Sequence, residues 1–143
     1  MTTKYLLQDR TIIVTGAATG IGQAFALGCA SQGAHVVVAD MNAAEETLEL
    51  IKSQGGSGTY VKVDVSDESS TRAMAEAAIK TTGRIDGLIN NAAYFREVKL
   101  TPFEELSEAE WDRIFQVNVK GIWLCCKAVM PAMRERQSGA IVN

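Results

Sequence analysis

Apolar and polar positions along the chain fall into short apolar runs separated by longer stretches of helical period. Ile12-Ile13-Val14 and Val36-Val37-Val38-Ala39 are continuously apolar, as parallel strands covered on both faces are. They predict strands over Arg10 to Thr15 and His35 to Asp40. Weaker runs predict strands over Thr59 to Val63, Ile85 to Asn90 and Ala140 to Val142. Between them, helical spacing predicts Gly20 to Gln32, closed by Gly33 as a left-handed C-terminal residue. A second helix opens with Asn42 as N-cap and Glu45 three positions on, and ends near Gly55-Gly56. A third is capped by Ser66 and runs to about Thr82. After a loop holding Pro102, Ser107-Glu108-Ala109-Glu110 reads as a capping box that starts a long helix reaching Arg136. Strand and helix alternate throughout, which predicts a three-layer, doubly wound parallel α/β sheet.

The turn between the first strand and first helix carries the densest chemistry. It reads Thr15-Gly16-Ala17-Ala18-Thr19-Gly20-Ile21-Gly22. A strand, a glycine-rich turn and a helix amino terminus together form a site for the pyrophosphate of a dinucleotide. Glycines at 16, 20 and 22 allow a tight reversal, close approach of phosphate to backbone, and close packing of the new helix. The plainer alternative is a cluster of ordinary turn glycines. Asp40, ending the second strand, is placed to accept the hydroxyls of an adenosine ribose and to repel a 2′-phosphate. No Arg or Lys follows it in Met41-Asn42-Ala43, so NAD is expected over NADP. An ordinary capping aspartate is the alternative.

With its G-x-x-x-G-x-G spacing, the chain resembles the short-chain dehydrogenase/reductase family, and the resemblance covers its whole length. It implies a Rossmann-type sheet of order 3-2-1-4-5, stopping before a sixth strand, with residues 1–143 as one NAD(P)-binding domain. It implies cofactor contacts from Gly16, Ala18, Thr19, Gly20, Ile21 and Gly22. Asp64-Val65, closing the third strand, would meet the adenine through a carboxylate and a backbone N–H. Asn90-Asn91-Ala92-Ala93 resembles the family's N-N-A-G. There Asn90 would stabilise the central sheet, and the backbone at Asn91 and Ala92 would lie along the nicotinamide ribose. Ala93 departs from the usual glycine. Asn118, a poor helix former amid apolar neighbours, matches the family's catalytic asparagine, which holds a water leading to the catalytic lysine in an often kinked helix.

The family's chemistry also needs a tyrosine as general acid/base with a lysine four residues later. Four residues past Tyr5, Tyr60 and Tyr94 stand Asp9, Asp64 and Val98, so no such pair occurs. The family's serine would fall just beyond Ile141-Val142-Asn143. The implied function is NAD-dependent interconversion of a small-molecule alcohol and a ketone, with these residues supplying the cofactor half and inactive alone. A non-catalytic nucleotide-binding module or relic is the alternative. A methyltransferase is a weaker one, because its turn normally carries an acid where Thr15 stands.

Composition narrows the partners. In 143 residues the net charge is −3, which leaves no basic footprint for nucleic acid. Cys29, Cys125 and Cys126 lie in apolar helical patterns rather than at metal-ligand spacing, and read as reduced core residues of a cytoplasmic protein. The single histidine, His35, reads as structural, and no metal is expected. Met1 to Asp9 lacks the apolar core of a leader peptide, and Val119 to Met133 is too short and too interrupted by lysines to span a bilayer. That helix is apolar on two sides. Ile114, Gly121, Cys125, Ala128 and Ala132 form a stripe for the sheet. Trp111, Phe115, Val119, Trp123, Cys126 and Met130 form another, which needs a second cover, and the resemblance implies a homo-oligomer through this helix. The competing reading packs the second stripe under the loop at 94–102.

Overall fold

A computed structural model describes residues 5–95 and 100–143. Its five strands are β1 (Thr11–Thr15), β2 (His35–Asp40), β3 (Ser57–Lys62), β4 (Gly87–Ile89) and β5 (Ala140–Val142). All pair in parallel, in the order β3-β2-β1-β4-β5, as the resemblance implied. The helices are α1 (Gly20–Ser31), α2 (Glu45–Ser53), α3 (Glu68–Thr82), α4 (Glu108–Phe115) and α5 (Gly121–Glu135).

Alternation along the strands divides the interior into two cores, because successive side chains point to opposite faces. Ile12, Val14, Val36 and Val38 pack with Ala26 and Ala30 of α1 and Ile51 of α2. Ile13, Val37 and Leu88 pack on the other face with Met74 and Ala78 of α3 and Cys125, Val129 and Met133 of α5. β1 and β2 are thus buried on both sides, which is why their apolar runs are unbroken. The cysteines are free, and burial pushes the Cys125 thiol up to about 12, with the neighbouring Cys126 adding to it. His35 bridges two strands, its ring nitrogens 2.7 and 3.2 Å from the hydroxyls of Ser57 and Thr59.

β3 and β4 are shifted or shortened by up to two residues at their ends relative to the sequence reading, and three features of the helices differ from it, each for a local reason. Asn42 does not cap α2. Its N–H donates to Asp40 Oδ1 at 2.9 Å and α2 starts after Ala44, because the Asp40 side chain closes its own turn first. Ser66 does not cap α3. Its N–H and hydroxyl both donate to Asp64 Oδ1, at 2.9 and 2.6 Å, and Asp67 caps the helix instead by accepting from the Ser70 N–H. Ser107 does cap α4, accepting from Glu110 N–H. The long helix from there is not continuous: a π-helical turn, Gln116–Lys120, separates α4 from α5.

That break changes the predicted stripes. Leu124, Val129 and Met133 join Gly121 and Cys125 in the core, while Ala128 and Ala132 are half-buried at its margin. Cys126 also leans on the core. Trp111, Phe115, Val119 and Trp123 form the outward stripe, between 45% and 56% exposed. The Trp111 and Phe115 rings stack at 4.6 Å.

At the amino-terminal ends of the strands, Asp86 is buried with three arginines around it. Its carboxylate accepts from Arg10 at 3.2 Å, from the Thr11 N–H at 2.9 Å and from Arg84, and Arg136 stands 3.7 Å away. The hub ties β1, β4 and the turn into β5 together.

Candidate functional site

At the carboxyl ends of the strands the sheet opens into a cleft of about 610 Å³, within the size range of small-molecule and cofactor sites. Parallel order dictates its place. α1 leaves β1 toward one face and the chain after β4 leaves toward the other, so the crevice opens at this switch point. Gly16, Thr19, Gly20, Ile21, Gly22, Asp40, Asp64, Val65, Asn91 and Ala92 all line it. Of the residues the sequence singled out for the cofactor, only Ala18 is not on the wall. Its N–H instead reaches Asp40 Oδ2 at 2.9 Å.

The loop's shape depends on its glycines. Gly16 and Gly20 take φ of 67° and 64°, which side chains disfavour. Gly22 is needed for a different reason: a Cβ there would stand 2.1 Å from the Gly16 carbonyl oxygen and 2.5 Å from Asn91 Nδ2. It packs the helix start against the loop and Asn91 rather than against the strand. The first-turn amides of α1 have no partner within the helix and no side chain caps them. They leave a ring of donors, at the positive end of the helix dipole, facing the cleft.

Asp40 is held at both oxygens, Oδ2 by Ala18 N–H and Oδ1 by Asn42 N–H, each keeping a further lone pair for a ligand. Burial raises the Tyr60 hydroxyl above the usual tyrosine range, and the charges of Asp40 and Glu45 add to it. This corner is anionic. Asp64 spends Oδ1 on Ser66. The Val65 N–H makes no hydrogen bond among the described residues, and α5 begins against Val65, since a Cβ on Gly121 would lie 2.9 Å from its Cγ2.

Asn91 and Ala92 show a commitment the sequence did not reveal. Both backbone N–H groups donate to Thr15 Oγ1 at 3.1 Å, and Asn91 Nδ2 donates to the carbonyls of Thr15 and Gly16 at 3.1 Å. Thr15 Oγ1 in turn donates to Ile89 O at 3.3 Å. Thr15 is therefore the buried pin joining the ends of β1 and β4. Its signal was a hydroxyl at the end of an apolar run, which must find partners once buried. Asn90 joins β4 to β5, donating its side-chain amide to Asn143 Oδ1 at 2.8 Å and its N–H to Val142 O. Its own Oδ1 is buried without a partner among the described residues.

Asn118 lies in the π-helical turn, and its side chain grips the backbone of one residue. Oδ1 accepts from Tyr94 N–H at 2.7 Å and Nδ2 donates to Tyr94 O at 3.1 Å. It fastens the helix to the chain leaving β4, and its amide keeps one N–H and one lone pair for a further partner. Tyr94 and Arg113, neither singled out by sequence, also line the cleft. The Arg113 guanidinium sits 5.7 Å from the Tyr94 ring centre and 3.4 Å from Ser66 Oγ. No cluster of His, Cys, Asp and Glu among the described residues is placed to hold a metal ion, and no helix among them is long and apolar enough to cross a membrane.

Comparison with known proteins agrees with this architecture. Residues 10–143 match the short chain dehydrogenase family. The chain is 40% identical over 141 residues to a D-threitol dehydrogenase of Mycolicibacterium smegmatis, covering 97% of this chain and 53% of that protein. It is 34% identical over 139 residues to a cyclopentanol dehydrogenase of Comamonas testosteroni, covering 96% and 54%. A crystal structure of a short-chain type dehydrogenase/reductase from Mycobacterium marinum superposes with a TM-score of 0.90 at 29% identity, covering 96% of this chain and 56% of that one. The chain thus spans about half the length of the relatives it matches. It belongs to the short-chain dehydrogenase/reductase family, which sets the methyltransferase reading aside.

Proposed function

We propose that this family member is the cofactor-binding half of an NAD-dependent oxidoreductase that interconverts a small-molecule alcohol and a ketone. The observation that carries the reading is the Asp40 carboxylate, oriented by the Ala18 and Asn42 amides at the edge of a glycine-lined cleft. The residues present fit a dinucleotide: Gly16 and Gly20, at positive φ, line the cleft with bare backbone, and unpaired helix amides suit a pyrophosphate. The first-turn amides and Thr19 hold the phosphates, Asp40 the adenosine ribose, and Asp64 with the Val65 N–H the adenine. Asn91 and Ala92 border the nicotinamide ribose. The cofactor supplies hydride transfer when bound. Asn118 keeps the chain after β4 in place beside it. No tyrosine stands four residues ahead of a lysine in these residues, so their proposed share is to bind and orient the cofactor. The second reading is binding without turnover. Consumption of NAD by the native protein with an alcohol present distinguishes the two.

NAD is favoured over NADP because a 2′-phosphate would meet the Asp40 carboxylate in a corner already made anionic by Glu45. Asp40→Ala is expected to weaken NAD by one to two decades, since hydrogen bonds to a charged group contribute about 1.5–3 kcal/mol, and to spare NADP. Titration calorimetry checks this. Tighter NADP than NAD binding in the wild type overturns the assignment.

Self-association is proposed through the outward stripe of α4 and α5. Four large apolar side chains in helical succession are more than scattered surface residues. The covering loop at 94–102, the competing reading, includes residues 96–99, which lie outside those described. Trp123→Glu is expected to weaken the oligomer more than Trp111→Glu, whose ring already stacks on Phe115. Sedimentation finding a monomer at tens of micromolar would reject the proposal.

A further inference from the structure

Two side chains that do not line the cleft hold the backbone that does. Thr47 of α2 is fully buried. Its Oγ1 lies 3.0 Å from the carbonyl oxygens of both Ala17 and Ala18. Gln23 of α1 donates its amide to Thr47 Oγ1 at 3.0 Å and to Ala18 O at 3.4 Å. The hydroxyl proton is shared between two carbonyls while the oxygen accepts from Gln23, so the hydroxyl's one donor is committed to the loop. In a trans peptide the C=O and N–H point in opposite directions. With Ala18 O turned toward Thr47 and Gln23, the Thr19 N–H points the other way, and Thr19 lines the cleft. If that peptide were to turn over, a carbonyl dipole would face the anion in place of an N–H.

We infer that Thr47 and Gln23 are positioning residues for the phosphate loop, fixing the Ala18–Thr19 peptide with its donor toward the pyrophosphate of the bound dinucleotide. The inference rests on the nucleotide reading above. Since neither side chain touches the cleft, their effect on a ligand travels only through the loop backbone, and it falls on the phosphates rather than on the nucleoside.

The test measures dissociation constants of NAD and of adenosine for the native protein and for Thr47→Val, Thr47→Ser and Gln23→Leu, with thermal melts of each. Thr47→Val keeps the shape and removes the donor. It is expected to weaken NAD at least tenfold and adenosine less than threefold, while Thr47→Ser stays within threefold of the wild type for both. Gln23→Leu, at a half-buried position, gives the same split with a smaller NAD loss, and carries the comparison if Thr47→Val does not fold. Unchanged NAD affinity in Thr47→Val, equal losses for both ligands, or a Thr47→Ser as weak as Thr47→Val would overturn the inference. A wild type that binds no NAD would overturn the nucleotide reading itself, and is distinguishable because it appears before any substitution.

Discussion

Gly22→Ala is expected to reduce NAD affinity by at least about 100-fold, close to 3 kcal/mol, the upper end of overpacking costs. The added methyl would lie 2.1 Å from the Gly16 carbonyl oxygen. What it meets is backbone, not the far end of a flexible side chain, so no rotamer change relieves the overlap. Asn91 Nδ2, at 2.5 Å, would be displaced at the same time, and with it the bonds that pin Asn91 to the carbonyls of Thr15 and Gly16. Either the helix start retreats from the loop or the loop moves into the proposed phosphate position, and both alter the donor ring. Calorimetry with NAD, on protein shown by circular dichroism to retain its helices, checks this. Affinity within threefold of the wild type would show that the loop accommodates the methyl and that its close packing is not what shapes the site.

Asp86→Ala is expected to cost about 3 kcal/mol of folding stability and to lower the melting temperature by on the order of 10 °C. Removing one partner of a buried charge network typically costs about 3–5 kcal/mol. The lower figure applies because Arg10, Arg84 and Arg136 keep 27% to 47% of their side chains in water and do not become buried orphans. The Thr11 N–H does lose its acceptor. Burial pushes the Asp86 carboxyl upward, but Arg84, the Thr11 N–H and Arg10 outweigh it and hold the group at about 2, below its usual 3.8. A carboxylate with a depressed pKa stabilises the fold fully above its unfolded value. Stability should therefore fall by about 2 kcal/mol as pH drops from about 4 through about 2, and Asp86→Ala should lose this portion of the acid dependence. Denaturant titrations across that range would reveal it. An unchanged acid limb in the variant would remove Asp86 from the explanation.

Periodicity and glycine spacing were enough to place the strands and the cleft. The apolar runs are long because both faces are covered, and the cleft follows from parallel order. What escaped the reading was competition among short polar side chains. Asn42 and Ser66 have the right residue type for caps, but Asp40 and Asp64, each two residues earlier, bind their N–H groups first. A cap is decided by which acceptor is nearer, and sequence alone does not rank them. The π-helical turn was hidden for a similar reason. The pattern through Gln116-Val117-Asn118-Val119 suits a continuous helix, and what accompanies the wider turn is a bidentate contact to the backbone of Tyr94, far along the chain. Thr47 read as one more residue of an amphipathic helix. Its role depends on two carbonyls some thirty positions earlier.

The two ends of the sheet are built from different materials. Where the strands begin, Asp86 and its arginines fasten neighbours by charge; where they end, hydroxyls, amides and bare glycine backbone do so. A collection of random substitutions should therefore separate in space. Variants found by heat or acid would gather around residues 10, 84, 86 and 136, and those found by loss of ligand would gather around 15–22, 40, 47 and 91. This physical separation lets the sequence adjust its tolerance of harsh conditions at one rim while the proposed ligand site at the other keeps its shape.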